Sequence, residues 1–344
     1  MSGDSVKNIV FLCNGHDEVL KRWALNCLAE SLVKEGIQAR VVDLAKGGRE
    51  SELFLADVVV VYRSFDLRVL RLMRRLRAEG VFVFFFLDDY LFQQGCRYTG
   101  DWTTPMAPME EADGLVSSSS FLLSKMPDKP KILRRSVLSE EAVSLLKQDY
   151  RRGERFSVGW TAGRGRFGVM DSFMRDFLKI LDNRMEEGEE CVFRCFGSRC
   201  FPATKKVEVR EHVWFRPDDW KGLYTALKSF DLGVIVNPLE EDDDFCRAKS
   251  ELKFVESGAL GVPLVTSRVE PYTEFIREGE NGFFASSPRE FADKVLIVMR
   301  NEELSRAVSM SAGSIVVSEY NARANARKFF DDVMGVIDSI RRKK

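Results

Sequence analysis

Residues 245–284, FCRAKSELKFVESGALGVPLVTSRVEPYTEFIREGENGFF, contain the pattern around which the rest of this chain is organised. The pattern predicts a loop, a helix starting at Ser250, a strand over Val262–Ser267, a second helix and a turn. Ser250 is a suitable N-cap because its hydroxyl accepts a free N–H of the first helical turn. Gly261 and Pro263 end the helix, since glycine permits a left-handed cap and proline cannot continue the hydrogen-bond ladder.

Three charged residues of this helix are predicted to share one face. Lys249, Lys253 and Glu256 are spaced i, i+4, i+7, and the helix start adds the positive end of its dipole. This arrangement suits a ligand with a phosphate for the lysines and a sugar diol for the carboxylate. The alternative is a solvated helix face with ordinary i, i+4 charges, which the charge pattern alone favours.

The same block resembles the donor-nucleotide half of the GT-B glycosyltransferases, specifically retaining family 4, the glycosyltransferase group 1 domain. That family has the pattern K-x-x-E-x-x-x-x-G-x-P-x-V-x-S followed by P-x-x-E-x-I-x-x-G-x-N-G. The matching residues here are Lys253, Glu256, Gly261, Pro263, Val265, Ser267, Pro271, Glu274, Ile276, Gly279, Asn281 and Gly282. The resemblance implies an α/β protein of GT-B fold. Such a fold has two Rossmann-like domains facing a central cleft and a C-terminal helix that crosses back to the N-terminal domain.

Composition limits the class of protein. The chain has 344 residues, of which 45% are hydrophobic and 31% charged, which fits a globular protein with two full cores. A net charge of −1 argues against a general nucleic-acid binder, whose phosphate contacts require a basic excess. No segment has the length and apolarity of a membrane span, and residues 1–20 lack a signal-peptide pattern, so we expect a cytoplasmic protein.

The cysteines do not indicate a disulfide framework. There are seven, an odd number scattered through the chain, as expected of reduced thiols. Cys191, Cys195 and Cys200 cluster in the sequence, which leaves a zinc site open as an alternative. Buried strand thiols are the favoured interpretation, because the chain contains only two histidines, His16 and His212.

The first half of the chain has the pattern of a parallel α/β domain. Strands are predicted over Asn8–Cys13, Ala39–Leu44, Ala56–Tyr62 and Val81–Leu87, with helical patterns between them. The first turn has only Asn14-Gly15 and not G-x-G-x-x-G, so dinucleotide binding has little support. Asp88 and Asp89 follow a central strand, where open α/β sheets bind ligands, and are the candidate catalytic residues. An alternative with equal support is that one of these aspartates caps the next segment.

A charged helix and linker, Ser139–Glu154, is the predicted domain boundary. We expect an acceptor-side domain over residues 1–145, joined by the terminal helix at about 322–344, and a donor-binding domain over residues 150–320. Elements predicted in the second half include helices over Asp171–Leu181, Glu302–Met310 and Ala322–Ile340 and strands over Cys191–Phe196, Val207–Val209 and His212–Phe215.

A glycine-rich loop follows the first strand of this second half. It contains Gly163, Arg164 and Arg166 between a predicted strand and a predicted helix. Backbone N–H groups in such a loop and the planar fork of arginine are both suited to a diphosphate. The family has G-R and then a lysine here, so Arg166 would have to replace that lysine. A basic surface loop without a ligand is the alternative.

The chain also departs from the family. In the E-x(7)-E motif Glu256 occupies the second position, which the family associates with the nucleotide ribose, but Ala248 replaces the first Glu. The histidine that many members place after a central N-domain strand is missing, and Asp88-Asp89 lies in that neighbourhood. Glu240–Asp244 (EEDDD) has the composition of a D-x-D metal motif, but a solvated loop is the better interpretation.

The resemblance implies a metal-independent retaining glycosyltransferase of hexosyltransferase type (EC 2.4). The expected donor is a nucleotide-diphospho-sugar, bound by Gly163, Arg164, Arg166, Lys249, Ser250, Lys253 and Glu256, with no cofactor. The acceptor would be a saccharide, a lipid-linked sugar or a protein, in bacterial surface polysaccharide or glycoprotein assembly. No nucleic-acid partner is expected, and the basic tail Arg341–Lys344 allows at most peripheral membrane contact. Two alternatives remain: a nucleotide-sugar hydrolase or epimerase of GT-B fold, and a catalytically silent GT-B-like partner subunit.

Overall fold

The computed structural model describes residues 6–15, 25–91, 106–146, 153–161, 167–196, 201–212 and 220–343. The chain divides into two compact units. Unit 1 comprises Met1–Ser139, Arg247–Ser250 and Tyr320–Lys344, and unit 2 comprises Glu140–Cys246 and Glu251–Glu319. Across the described residues, no helix has both the length and the apolar content needed to cross a membrane.

Unit 1 is built on a six-stranded parallel sheet with the order β2-β1-β3-β4-β5-β6. Its strands are Asn8–Cys13 (β1), Gln38–Asp43 (β2), Val58–Tyr62 (β3), Phe82–Phe86 (β4), Gly114–Ser117 (β5) and Lys131–Leu133 (β6). All five residues of β3 and all but the first residue of β4 are buried, as expected for strands covered on both faces. The predicted parallel α/β arrangement is confirmed.

Helices cover both faces of this sheet. They are Cys27–Lys34, Leu67–Ala78, Ala107–Glu111, Ser120–Lys125 and Ala322–Lys343, with 3-10 turns at Leu44–Lys46 and Glu50–Leu55. Helix Leu67–Ala78 begins where the side chain of Asp66 accepts the N–H of Val69 at 2.9 Å. Its five arginines lie on the outer side, while its apolar stripe packs into the core.

The C-terminal helix Ala322–Lys343 belongs to unit 1, as the GT-B resemblance predicts. Ala326, Phe329, Val333 and Ile337 are buried along one stripe of this helix. They join the same core cluster as Phe11, whose ring centroid lies 6.2 Å from that of Phe329. The end of the chain therefore completes the core of the unit in which the chain begins.

Unit 2 has a second six-stranded parallel sheet, with the order β12-β11-β10-β7-β8-β9. Its strands are Phe156–Thr161 (β7), Cys191–Phe196 (β8), Val207–His212 (β9), Val234–Asn237 (β10), Leu264–Thr266 (β11) and Phe283–Phe284 (β12). Its helices are Glu140–Leu146, Phe167–Arg184, Trp220–Ser229, Asp244–Arg247, Leu252–Leu260, Tyr272–Phe275, Pro288–Arg300 and Glu302–Glu319, although Arg247 itself groups with unit 1. Counted within the unit, the strand order is 3-2-1-4-5-6, the order of Rossmann domains.

Several predicted elements in unit 2 are wrong in extent. The helix predicted over Glu302–Met310 continues to Glu319, because Ala312 and Val316 extend its buried stripe. This segment crosses helix Leu252–Leu260 closely: a Cβ on Gly258 would lie 2.7 Å from Val316 Cγ2. In the sheet, His212 ends β9 instead of opening a separate strand, and residues 213–219 lie outside the described part of the chain.

Candidate functional site

The carboxyl edge of the unit 2 sheet contains a topological switch between its neighbouring strands β7 and β10. Open α/β sheets bind ligands at such a point, because the chains leaving the two strands diverge and open a crevice. Helix Leu252–Leu260 lies in the connection from β10 to β11, so its N-terminal end lies toward this edge. Gly163, Arg164 and Arg166 follow β7 in the sequence but lie outside the described residues.

Lys253 and Glu256 form an ion pair on this helix. Lys253 Nζ lies 2.6 Å from Glu256 Oε2, and the hydroxyl of Tyr224 donates to Glu256 Oε1 at 2.9 Å. Tyr224 is fully buried and Glu256 is 6% exposed, whereas the side chain of Lys253 is 28% exposed. Two donors therefore hold the carboxylate in one orientation, while the ammonium keeps N–H donors for a further partner.

The predicted start of this helix is wrong. The helix begins at Leu252 with Glu251 as N-cap, and Ser250 lies outside it. Lys249 and Ser250 belong to the segment Arg247–Ser250, which groups with unit 1. Of the three predicted charges, only Lys253 and Glu256 thus share the helix. The donor-binding roles of Lys249 and Ser250 stay predictions. They no longer have the support of a shared helical face, because both residues precede the helix.

Position 248, where Ala248 replaces the first Glu of the E-x(7)-E motif, is an apolar core position. Ala248 is fully buried and belongs to the core cluster of unit 1, with Leu91 among its members. Arg247 lies beside it with its guanidinium 4.2 Å from the ring centroid of Phe121. A glutamate at position 248 would place a charge among apolar side chains, at a cost of several kcal/mol unless it were paired.

Asp88 and Asp89 lie just beyond the carboxyl end of β4 in unit 1, as predicted. The Tyr62 hydroxyl donates to Asp88 Oδ2 at 2.9 Å, and the Arg63 guanidinium donates to both carboxylates. Lys249 Nζ donates to Asp89 Oδ1 at 2.5 Å. Arg63 has a φ of +46°, a left-handed conformation that non-glycine residues rarely adopt. Two cations and two carboxylates therefore form one cluster at this edge of the sheet.

The electrostatics of this cluster limit what Asp89 can do. Burial opposes charge on Asp89, but the positive charges of Lys249 and Arg63 outweigh it and lower the pKa of the carboxyl below its ordinary value. Burial, together with Asp88, raises the pKa of Tyr62 well above its usual range. Burial disfavours the Arg63 cation, yet Asp88 raises the pKa of the guanidinium. Asp89 is thus a weak base, suited to holding cations and not to removing a proton.

Sequence reasoning missed Arg63 and its contact with Asp88 and Asp89. The available signal was an arginine immediately after the predicted strand Ala56–Tyr62, next to the predicted strand that ends in the two aspartates. Parallel neighbouring strands bring their carboxyl ends to one edge, so β3 and β4 place these residues together.

Other motif residues have structural contacts. Asn281 Oδ1 accepts the N–H of Arg277 at 2.7 Å, and its amide donates to Phe275 O at 2.9 Å. Gly279 has a φ of +75°, which glycine adopts without strain. These two residues shape the turn before β12.

The acidic run and the cysteines give no metal centre in the described part of the chain. Glu241 accepts the N–H of Arg268 at 3.2 Å and the hydroxyl of Ser286 at 2.6 Å. No group of three or more His, Cys, Asp and Glu side chains suited to a metal ion occurs among the described residues. Cys191 and Cys195 are buried, and burial raises the pKa of the Cys191 thiol to about 12. Cys200 lies outside the described residues.

Comparisons with known proteins agree with this architecture. Residues 174–331 match the model of a family described as glycosyl transferase-like. No curated protein sequence matches the chain. Among solved structures, a glycosyltransferase from Rickettsia africae is similar with a TM-score of 0.64 and 12% identity, covering 96% of this chain and 99% of its own.

Two further structures are similar over almost their whole length. Sucrose-phosphate synthase from Thermosynechococcus elongatus has a TM-score of 0.64 and 10% identity, with coverage of 97% of this chain and 100% of its own. Anabaena HepE, solved in complex with UDP and glucose, has a TM-score of 0.59 and 10% identity, with coverage of 96% and 100%. The predicted GT-B fold is therefore confirmed.

The fold defines this chain as a GT-B protein of the α/β class. Its residues 174–331 are similar to a family described as glycosyl transferase-like, and the family 4, or group 1, type is consistent with that match.

Proposed function

We propose that this protein is a retaining glycosyltransferase of hexosyltransferase type that moves a sugar from a nucleotide-diphospho-sugar to an acceptor without a metal ion. The observation that carries the proposal is the Lys253–Glu256 pair on the helix that follows β10, at the switch point of a Rossmann-order sheet. The family match over residues 174–331 supports it. We further propose a role in bacterial surface polysaccharide or glycoprotein assembly.

In this proposal the phosphates of the donor bind Lys253 and the loop containing Gly163, Arg164 and Arg166. Negative charge builds on the leaving nucleoside diphosphate as the bond between the sugar and the phosphate oxygen breaks. Fixed cations stabilise that charge where other enzymes use a divalent metal. Glu256, held by Tyr224, accepts hydrogen bonds from the ribose hydroxyls.

The acceptor is assigned to the carboxyl edge of the unit 1 sheet. Asp88 orients its hydroxyl group, and Asp89 with Arg63 holds Asp88 in place. The lowered pKa of Asp89 argues against this carboxylate as the general base. Lys249 donates to Asp89, so in this proposal it belongs to the acceptor side.

UDP-sugars are the first donors to test, because HepE was solved with UDP and glucose. The full chain is incubated with a panel of nucleotide-sugars, with and without an acceptor extract and with and without EDTA. We expect diphosphate release that requires the acceptor and persists in EDTA. Release that EDTA abolishes contradicts metal independence.

The two alternatives give other outcomes in the same assay. Release without acceptor identifies a hydrolase or epimerase, and nucleotide binding without turnover identifies a silent partner subunit. The anomeric configuration of the product, measured by NMR, tests retention directly. A product of inverted configuration contradicts the retaining assignment.

A further inference from the structure

A small cavity in unit 1 lies at the carboxyl end of β6. Its volume is about 160 Å³, and it is lined by Leu133, Arg134, Arg135, Asn325, Lys328 and Phe329. Sites for drug-sized ligands are roughly 300–1,000 Å³, so this cavity fits one small group and not a whole nucleotide-sugar.

The cavity wall is rich in cations from two different elements. Arg134 and Arg135 directly follow β6, and Lys328 lies on the C-terminal helix. Arg134 is only 5% exposed, with its guanidinium 5.5 Å from the ring centroid of Phe86. A buried arginine is a directed donor, because packing fixes the plane of its guanidinium. Lys328 lies 2.5 Å from Asp332, while its side chain stays 67% exposed.

The C-terminal helix adds a further positive contribution. It begins at Ala322, where Asn321 Oδ1 accepts the N–H of Ala324 at 3.0 Å. Asn325, in the first turn, lines the cavity. The N-terminal end of a helix carries a partial positive charge that favours an anion. Three cationic side chains and a helix start thus converge on one space.

The chemistry of this wall selects a phosphoryl group. The arginine fork matches two oxygens of a phosphate at once, and lysine contributes a point charge. Phe329 and Leu133 supply an apolar side to the cavity, against which the carbon skeleton of a phosphate ester can pack. These residues are not among those assigned to the proposed donor site.

We infer that this cavity binds the phosphate of a phosphorylated acceptor. The inference rests on the proposed function, since it names the acceptor class of the same enzyme. The phosphate takes no part in the reaction; it anchors the acceptor while another of its hydroxyl groups receives the sugar. Two sources share this chemistry, a soluble sugar phosphate and a phosphate-bearing lipid.

Binding of inorganic phosphate to the full chain, measured by calorimetry, tests the cavity without any turnover. The Arg135→Gln/Lys328→Gln double variant should bind phosphate about tenfold more weakly or worse, because two charge-assisted contacts are lost. Arg327→Gln is the matched control: Arg327 lies on the same helix and pairs with Asp331 at 3.3 Å, but does not line the cavity. Equal affinity in the wild type, the double variant and the control overturns the inference.

UDP binding by the same samples separates this site from the donor site. The double variant should bind UDP normally. Lys253→Ala should lose UDP affinity but should still bind inorganic phosphate at the cavity, where the double variant binds it weakly. If the wild type binds both UDP and phosphate but shows no acceptor-dependent turnover, the phosphate site is supported and the proposed enzyme activity is contradicted. A double variant that instead loses UDP affinity overturns the cavity assignment.

Competition identifies the source of the phosphate. Glucose 6-phosphate and vesicles containing phosphatidic acid are each added to the phosphate titration. Displacement by the sugar phosphate supports a soluble acceptor, and displacement by the vesicles supports a lipid-linked one. Displacement by neither overturns the assignment to an acceptor.

Discussion

The carboxyl edges of the two sheets carry charge-balanced clusters that differ in the number of ion pairs that each contains. In unit 1, Asp88 and Asp89 face Arg63 and Lys249, two anions against two cations. In unit 2, Glu256 is shared by one cation, Lys253, and the neutral hydroxyl of Tyr224. In the unit 1 cluster each cation thus contacts at least one carboxylate, and Arg63 contacts both. The unit 2 pair leaves a partly exposed ammonium at a ligand-binding edge.

This difference predicts that removing a cation affects stability in unit 1 and donor use in unit 2. Within the unit 1 cluster, the most deeply placed charge is that of Arg63, whose side chain is 9% exposed.

Arg63→Ala should therefore have the largest effect. It leaves Asp88 without its cation and Asp89 with Lys249 alone, and breaking a buried pair costs about 3–5 kcal/mol. The free energy of unfolding in urea measures the loss. Arg74→Ala is the control, because its ion pair with Glu111 is 60% exposed on the arginine side and should contribute at most about 1 kcal/mol. Equal losses in the two variants would contradict the comparison.

Lys253→Ala should lower the rate of sugar transfer about 100-fold, because it removes one fixed hydrogen-bond donor that stabilises the negative charge on the leaving diphosphate. Lys294→Ala is a close control: Lys294 also lies 2.6 Å from a glutamate, Glu278, and its side chain is also 28% exposed. Steady-state kinetics with the active nucleotide-sugar compare the two variants. Unchanged kinetics for Lys253→Ala would remove this residue from the donor site.

Tyr224→Phe should raise the KM for the donor about tenfold. The variant removes the hydroxyl that orients Glu256, and a hydrogen bond to a charged group is worth about 1.5–3 kcal/mol. The affinity for UDP, measured beside that for a nucleoside-free diphosphate, distinguishes orientation of Glu256 from general destabilisation. We expect only UDP to be affected, because the proposed partner of Glu256 is the ribose. A parallel loss for both ligands would argue against this role.

Lys249→Ala should change the pH dependence of stability. The pKa of Asp89 is lowered in the folded protein, so its stabilising contribution is present above the unfolded value of about 3.9 and is lost as the pH falls through the folded value. Without Lys249 the folded pKa rises and that contribution shrinks. The variant should be less stable than the wild type at neutral pH, and the difference should narrow in acid. A difference independent of pH would contradict an electrostatic role.

Local patterns located most of the fold and part of the candidate site. The strands Asn8–Cys13 and Cys191–Phe196 have the predicted bounds, because each depends on the hydrophobic pattern within one segment. Asp88 and Asp89 follow a central strand as expected, and Lys253 and Glu256 share a helix. The sequence could not indicate that Glu256 contacts Tyr224, which lies 32 positions earlier.

The sequence by itself determined the alternation of strands and helices, the GT-B resemblance and the charged residues that follow the strands. Only the tertiary structure decided that Ala248 is a core residue and that Lys249 pairs with Asp89, 160 positions away. It also extended the helix beyond Met310, through its close crossing at Gly258. The physical reason is the same each time. Periodicity and capping act within a few residues, whereas burial and ion pairing join segments that only the folded chain brings together.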